Sequence, residues 1–197
     1  MKIGFLGGSF DPIHFGHLLA AQDAFEQAGL DKLVFMPVAM PPLKDRKLVT
    51  PDADRITMIR LAIEWDPRFE VRDDELQRGG VSYTIDTALA LRDEFPDDRL
   101  FWIIGDDQAR KLGSWSRIGE LAGMVEFIVL DRPGHDVAPV PNIPGLRLQR
   151  VASHRVEVSS TELRERARRG LSLHYFVPLA VNRHITERQL YRDPTGL

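Results

Sequence analysis

Gly7-Gly8-Ser9-Phe10-Asp11-Pro12-Ile13-His14-Phe15-Gly16-His17 is the stretch that decides the fold. Before it, residues 2–6 form a short apolar run that predicts a buried strand. After it, Leu18, Ala21, Phe25 and Ala28 recur on one face and predict a helix over 18–28, which Gly29 can end. The stretch is therefore a strand-to-helix turn holding glycines, two histidines and a helix start. Glycines let a backbone approach an anion closely. A helix start offers unpaired N–H groups and a partial positive charge. The imidazoles add donors that can follow developing charge. Such a turn suits phosphate, yet it is neither a P-loop, Gly-x-x-x-x-Gly-Lys-Ser/Thr, nor a dinucleotide fingerprint, Gly-x-Gly-x-x-Gly.

Outward from this turn the same alternation repeats. Strands are predicted over 33–36, 69–71, 99–104, 125–130 and 146–151. Helices are predicted from Thr50, as N-cap ahead of Pro51, to about residue 64, and over 84–95, 160–169 and 178–187, with a short one over 105–112. Residues 37–49 form a long connection rich in proline and lysine, a length that often marks a functional loop. Residues 132–145 carry Pro133, Pro139, Pro141 and Pro144 and read as a loop. Alternating strand and helix predicts an α/β, Rossmann-like, doubly wound and mostly parallel sheet with helices on both faces and a helical C-terminal segment. Ligands in such sheets bind at the carboxyl ends of strands, near a switch in strand order.

At 197 residues the chain fits a single domain over 1–197, with the helical C-terminal segment at about 159–190. It is 43% hydrophobic and 28% charged, the balance of an ordinary soluble globule. The net charge of −3 gives no broad electrostatic reason to bind nucleic acid. The absence of cysteine excludes disulfides and thiolate metal sites. No apolar stretch approaches the roughly 20 residues that cross a membrane, and the chain enters its first strand with no signal-like prelude. These features predict a cytoplasmic enzyme that uses no nucleic acid and no membrane. A homo-oligomer stays open, because no exposed apolar seam can be told from core.

Near the other end, Ser159-Ser160-Thr161-Glu162-Leu163-Arg164 reads as a capping box, Ser159 with Glu162, on an amphipathic helix. Its hydroxyls and free N–H groups also make an anion site, and Arg164 can reach the same anion. His14-Phe15-Gly16-His17 and this second segment together resemble the His-x-Gly-His and Ser-Ser-Thr-x-x-Arg motifs of the nucleotidylyltransferase superfamily. That superfamily transfers a nucleotidyl group from a nucleoside triphosphate and releases pyrophosphate. Pro41-Pro42-Leu43-Lys44 resembles its Pro-Pro-His-Lys loop, with Leu43 in place of histidine. Glu75 through Thr87 resembles a segment that shapes a mononucleotide pocket, and Gly105-Asp106-Asp107 with Leu112 and Trp115 resembles a Gly-x-Asp…Leu…Trp segment. Together these span nearly the whole chain. Within the superfamily the likeness is to members that join nicotinate mononucleotide to ATP in NAD synthesis.

The resemblance implies His14, His17, Lys44 and Arg164 as catalytic residues. It implies Gly8, Ser9, Phe10, Gly105, Ser159, Ser160 and Thr161 on ATP or its phosphates, with Asp107 favoured over Asp106 as the acidic contact. Tyr83, Thr84 and Trp115 would hold the mononucleotide, with N–H groups around Tyr83 and Thr84 on the nicotinate carboxylate and Trp115 stacked on the ring. Mg2+ would travel with ATP, held by phosphates and water, with no protein cage. Transfer would be direct and in-line, since a phosphate monoester is already nucleophilic and no activated Ser or Cys is evident. Arg78 lies outside this set. The near alternatives are adenylyltransferases for nicotinamide mononucleotide or phosphopantetheine, although Ser82-Tyr83-Thr84 fits the latter poorly. The distant one is a nucleotide sensor that binds ATP without releasing pyrophosphate. A sensor has no need of His14, His17, Lys44 and Arg164 together.

Among the remaining residues, Trp65 and Trp102 are expected in the core. His135, His154, His174 and His184 lack metal-like spacing and are expected on the surface or in structural roles. Arg166, Arg168 and Arg169 are expected on a solvated helix face, and Asp73-Asp74-Glu75 in a solvated loop.

Overall fold

A computed structural model describes residues 1–40, 50–131, 139–154 and 156–192. Six apolar runs pair as β1 (Lys2–Gly8), β2 (Lys32–Pro37), β3 (Phe69–Val71), β4 (Arg99–Gly105), β5 (Glu126–Asp131) and β6 (Leu148–Ala152). They lie in one sheet in the order β3-β2-β1-β4-β5-β6, and every pairing is parallel. The mostly parallel sheet read from the sequence is thus entirely parallel. Between the strands run α1 (Phe15–Ala28), α2 (Asp52–Ile63), α3 (Asp74–Arg78), α4 (Thr84–Glu94), α5 (Asp106–Ala109), a 3-10 turn at Leu112–Ser114 and α6 (Ile118–Met124), and after β6 come α7 (Ser160–Arg168) and α8 (Leu179–Glu187).

Strand side chains alternate between faces, and this divides the core in two. Leu33 and Phe35 of β2, Phe101 and Ile103 of β4, and Ile128 and Leu130 of β5 pack against α1, α2, α7 and α8. Val34 and Met36, Leu100, Trp102 and Ile104, and Phe127 and Val129 pack against α4 and α6. The C-terminal helices bury Leu163, Ala167, Val181 and Ile185 in the first of these cores. Burying an aliphatic side chain of this kind stabilises by about 1.5–3 kcal/mol, so this segment is part of the sheet's cover. No described helix is long and apolar enough to cross a membrane.

The structure departs from the sequence reading in several places. β1 runs two residues further, because Gly7 and Gly8 keep pairing with Met36 and Pro37. α1 begins at Phe15, not Leu18. His14 is its extended N-cap, and the His14 carbonyl accepts from the N–H groups of His17 and Leu18. The N-cap of α2 is Pro51, one residue after Thr50. α6 was not foreseen, and β6 starts two residues later than predicted. Residues 74–78 form α3, and Glu75 on it is buried, contrary to the expected solvated loop. Trp102 is core, but Trp65 is 89% exposed. It follows the C-cap of α2, where the chain has left both packed faces.

Candidate active site

The strand order reverses between β1 and β4, and the carboxyl ends of these two strands open a cleft of about 530 Å3. This is the crevice that the topology predicts for a ligand. Gly7, Gly8 and Ser9 line it from β1, Ser82, Tyr83 and Thr84 from the start of α4, and Asp107 and Trp115 from the segment after β4. The sequence motifs after β1, before α4 and after β4 thus meet in one place.

At the mouth of β1 the two histidines form a stacked pair. Their ring centroids are 3.8 Å apart and the planes are inclined by 23°. The backbone N–H of His14 donates to Nδ1 of His17 at 3.3 Å. That bond places the proton of neutral His17 on Nε2. His14 is only 5% exposed, and its Nδ1 has no hydrogen-bond partner among the described residues. Burial lowers its pKa to about 4, because desolvation disfavours the charged imidazole. Gly16 makes this stacking possible. A Cβ there would lie 3.0 Å from Cε1 and Nδ1 of His14. The glycine in the motif is thus a space for the first imidazole.

Gly8 lines the cleft and also makes room for a neighbouring ring. The space beside its Cα is filled by the Phe10 ring, within 2.8 Å of where a Cβ would stand, and not by open cleft. Phe10 itself is buried, has a φ of 46°, and sets its ring edge-on to His17 with centroids 5.0 Å apart. It supports an imidazole, and only its backbone can face a ligand.

The second motif closes onto the first. Ser159 caps α7 by accepting from the N–H of Glu162 at 3.2 Å. The Ser160 hydroxyl donates to the Pro12 carbonyl at 3.0 Å. Arg164 donates to the Asp11 carbonyl at 2.7 Å and to the Thr161 hydroxyl at 3.2 Å. Residues 148 and 153 positions apart in the chain are thereby joined at the turn that carries the histidines. The capping reading of this segment holds at Ser159.

After β4 the two aspartates separate. Asp106 is held by Arg110 at 3.0 Å and Arg150 at 3.3 Å. Asp107 lines the cleft. Its Oδ1 folds back to 2.7 Å from where a Cβ on Gly105 would stand, so Gly105 gives it room. Of the two aspartates, Asp107 is the one that lines the cleft. Trp115 lies against Phe127, edge to face at 6.2 Å, with its indole at the cleft. At the start of α4 the Tyr83 N–H donates to the Val81 carbonyl. The helix-start donors toward the cleft therefore begin with Thr84. Lys44 and Leu43 lie outside the described residues.

Several residues escaped the sequence reading. Arg55 is 0% exposed and donates to the Ser9 carbonyl at 2.9 Å, pinning the first loop from below. Tyr191 donates to the buried Asp11 carboxylate at 2.7 Å. Glu75, Gln108 and Lys111 also line the cleft. An arginine on an amphipathic helix reads as solvent-facing, and nothing in its spacing announces burial. Of the remaining histidines, His154 contacts Asp23 at 2.7 Å and His184 contacts Asp54 at 2.9 Å, tying helices to neighbouring segments. His135 lies outside the described residues. Arg168 pairs with Glu165 on the surface of α7, while Arg166 turns to the Ser172 carbonyl and the Phe176 ring.

A cytidylyltransferase-like family model matches residues 5–166. A probable nicotinate-nucleotide adenylyltransferase of Opitutus terrae is 56% identical over 192 residues, covering 98% of each chain. The nicotinate-nucleotide adenylyltransferase of Bacillus subtilis is 40% identical, covering 98% of this chain and 99% of its own. Among solved structures, a Plasmodium falciparum nicotinic acid mononucleotide adenylyltransferase complexed with NaAD superposes with a TM-score of 0.76 at 18% identity. The overlap covers 96% of this chain and 97% of that one, and it carries the fold.

Proposed function

The chain belongs to the cytidylyltransferase-like family, among its nicotinate-nucleotide adenylyltransferases, and from that membership we infer its reaction. It transfers the adenylyl group of ATP to nicotinate mononucleotide, giving nicotinate adenine dinucleotide and pyrophosphate in NAD biosynthesis. The observation that carries the mechanism is the stacked His14–His17 pair, set in the turn that follows β1 and whose Asp11 and Pro12 carbonyls are bonded to α7.

The 5′-phosphate oxygen of the mononucleotide attacks the α-phosphorus of ATP in line, and the bond to the bridging oxygen of pyrophosphate breaks on the opposite side. No proton need leave the nucleophile, so catalysis rests on positioning and charge stabilisation. His17 donates from Nε2 to the α-phosphate. His14, neutral while the site is empty, gains its proton when phosphate arrives. Ser9 and the adjoining backbone cradle phosphate, with Arg55 fixing the Ser9 carbonyl. Arg164, Ser159, Ser160 and Thr161 meet the β,γ-phosphates at the start of α7, and Lys44 joins them on sequence grounds. Gly105 and Asp107 contact the adenylyl half.

The nicotinate ring stacks on Trp115, and its carboxylate meets the N–H groups at the start of α4. A helix start favours an anion over a neutral amide. A charge-assisted contact of this kind contributes about 1.5–3 kcal/mol, enough for a ten- to hundredfold preference for the acid. Mg2+ comes with ATP and neutralises its phosphates. Phosphates and water would supply most of its ligands.

The test is pyrophosphate release from MgATP with nicotinate mononucleotide, nicotinamide mononucleotide or phosphopantetheine as acceptor. Release much faster with nicotinate mononucleotide, with a dinucleotide product, is expected. Release only with another acceptor would overturn the pocket assignment. ATP binding without release would turn the chain into a nucleotide sensor.

A further inference from the structure

Behind the start of α4 lies a polar network that the reaction as described does not use. Glu75 on α3 is 3% exposed yet borders the cleft. Its Oε1 accepts from the Thr87 hydroxyl on α4 at 2.9 Å. Thr87 in turn accepts from Arg78 at 2.9 Å. Ser82 stands at the other end of the same turn, where its hydroxyl accepts from the Ala39 N–H at 3.0 Å and its own N–H donates to the Met40 carbonyl. Among the described residues no cation forms an ion pair with Glu75; the Arg78 guanidinium is bonded to Thr87 and acts on the carboxylate through space. Burial pushes the Glu75 carboxyl up, and the hydroxyls of Thr87 and Ser82 oppose that rise.

Keeping an acidic group there is costly. A well-packed apolar residue would serve α3 better if packing were all that mattered. The bonds it makes run to α4, whose first residues border the cleft. Between them Gly79 and Gly80 both hold positive φ, 68° each. Such a segment has no side chains of its own to fix its path, so its position depends on what holds its two ends.

We propose that Glu75 is a positioning residue for acceptor selection, holding the start of α4 through Thr87 so that its N–H groups meet the nicotinate carboxylate. This rests on the reading of the α4 start as the carboxylate site. Glu75 touches neither ATP nor the reacting phosphorus in this scheme. Its loss therefore acts on mononucleotide affinity and acid-over-amide choice, and leaves the histidine pair alone.

The experiment is steady-state kinetics of the wild type, Glu75→Ala, Glu75→Gln and Thr87→Val, with nicotinate and nicotinamide mononucleotides and with ATP varied separately. Glu75→Ala and Thr87→Val are expected to raise KM for nicotinate mononucleotide about tenfold and to lower the acid-over-amide preference by a similar factor. KM for ATP and kcat should stay within about threefold. Glu75→Gln should stay near wild type, since its amide oxygen still accepts from Thr87. Unchanged KM and preference in both Glu75→Ala and Thr87→Val would overturn the proposal, even if stability fell. So would a Glu75→Gln variant as impaired as Glu75→Ala, since charge and not the bond would then matter. Should Glu75→Ala not fold, Thr87→Val carries the same expectation with almost no change in volume. A wild type inactive with nicotinate mononucleotide would instead sink the functional reading on which this rests.

Discussion

A histidine with its pKa near 4 makes two measurable statements about this molecule. The first concerns stability. The folded state keeps His14 neutral, while the unfolded chain protonates it near pH 6.5. Between these values the unfolded state binds more protons, so stability falls as pH drops from about 6.5 to 4. The difference amounts to about 3 kcal/mol, and His14→Ala should remove that part of the acid slope in urea unfolding. The second concerns binding. A phosphate beside His14 favours its charged form, so ATP binding near pH 6 should take up protons. Calorimetry in buffers of different ionisation heat reads this directly, and proton-neutral binding would remove His14 from phosphate contact. In the proposed mechanism His17 donates to the reacting phosphate, and its replacement by alanine should lower kcat by roughly two to four orders. Stability should change by about 1 kcal/mol. Near-normal turnover would remove His17 from the mechanism.

At the scale of elements, the start of α1 sets catalytic geometry against helix propensity. Gly16 lies in the first turn of α1, where alanine is the better helix former by about 1 kcal/mol. Set against the cost of crowding buried His14, this should leave stability of Gly16→Ala within about 1 kcal/mol of wild type, yet lower kcat about tenfold or more, as the new Cβ spreads the stacked imidazoles. An active variant would show that the stacking is incidental. α2 acts differently, through the buried Arg55 beneath the first loop. Besides Ser9 it reaches Asp52 at 2.6 Å. Arg55→Ala leaves the Ser9 carbonyl and Asp52 without this partner and opens a cavity. It should cost about 3–5 kcal/mol in urea unfolding. A loss under about 1 kcal/mol would mean the loop stands without it.

Across the whole molecule, the proposed phosphate site depends on both ends of the chain meeting. β1 supplies the turn, and α7 and the residues after α8 close on it through Ser160, Arg164 and Tyr191. Arg164 uses its fork to hold a carbonyl and a hydroxyl at once, a geometry that lysine does not reproduce. Arg164→Lys should lower kcat/KM for ATP at least about tenfold with little change in KM for the mononucleotide. An equal effect on both substrates would assign Arg164 to the fold and not to the triphosphate.

The alternation of apolar strands and helices determined the fold class, because side-chain period follows from backbone geometry alone. The two terminal motifs likewise carried the expectation of where phosphate would be handled, since helix starts, hydroxyls and imidazoles at fixed spacing suit that chemistry. Local sequence did not decide which of Asp106 and Asp107 faces the cleft. That depended on Arg150, which lies on β6 and reaches Asp106 only across the sheet. Nor did it decide that Gly8 makes room for Phe10, that Trp65 is exposed, or that Arg55 and Glu75 are buried. Burial is a property of what arrives from elsewhere in the chain. Residue type predicts it well for leucine on a strand and poorly for an arginine or glutamate whose partners are a distant carbonyl or hydroxyl.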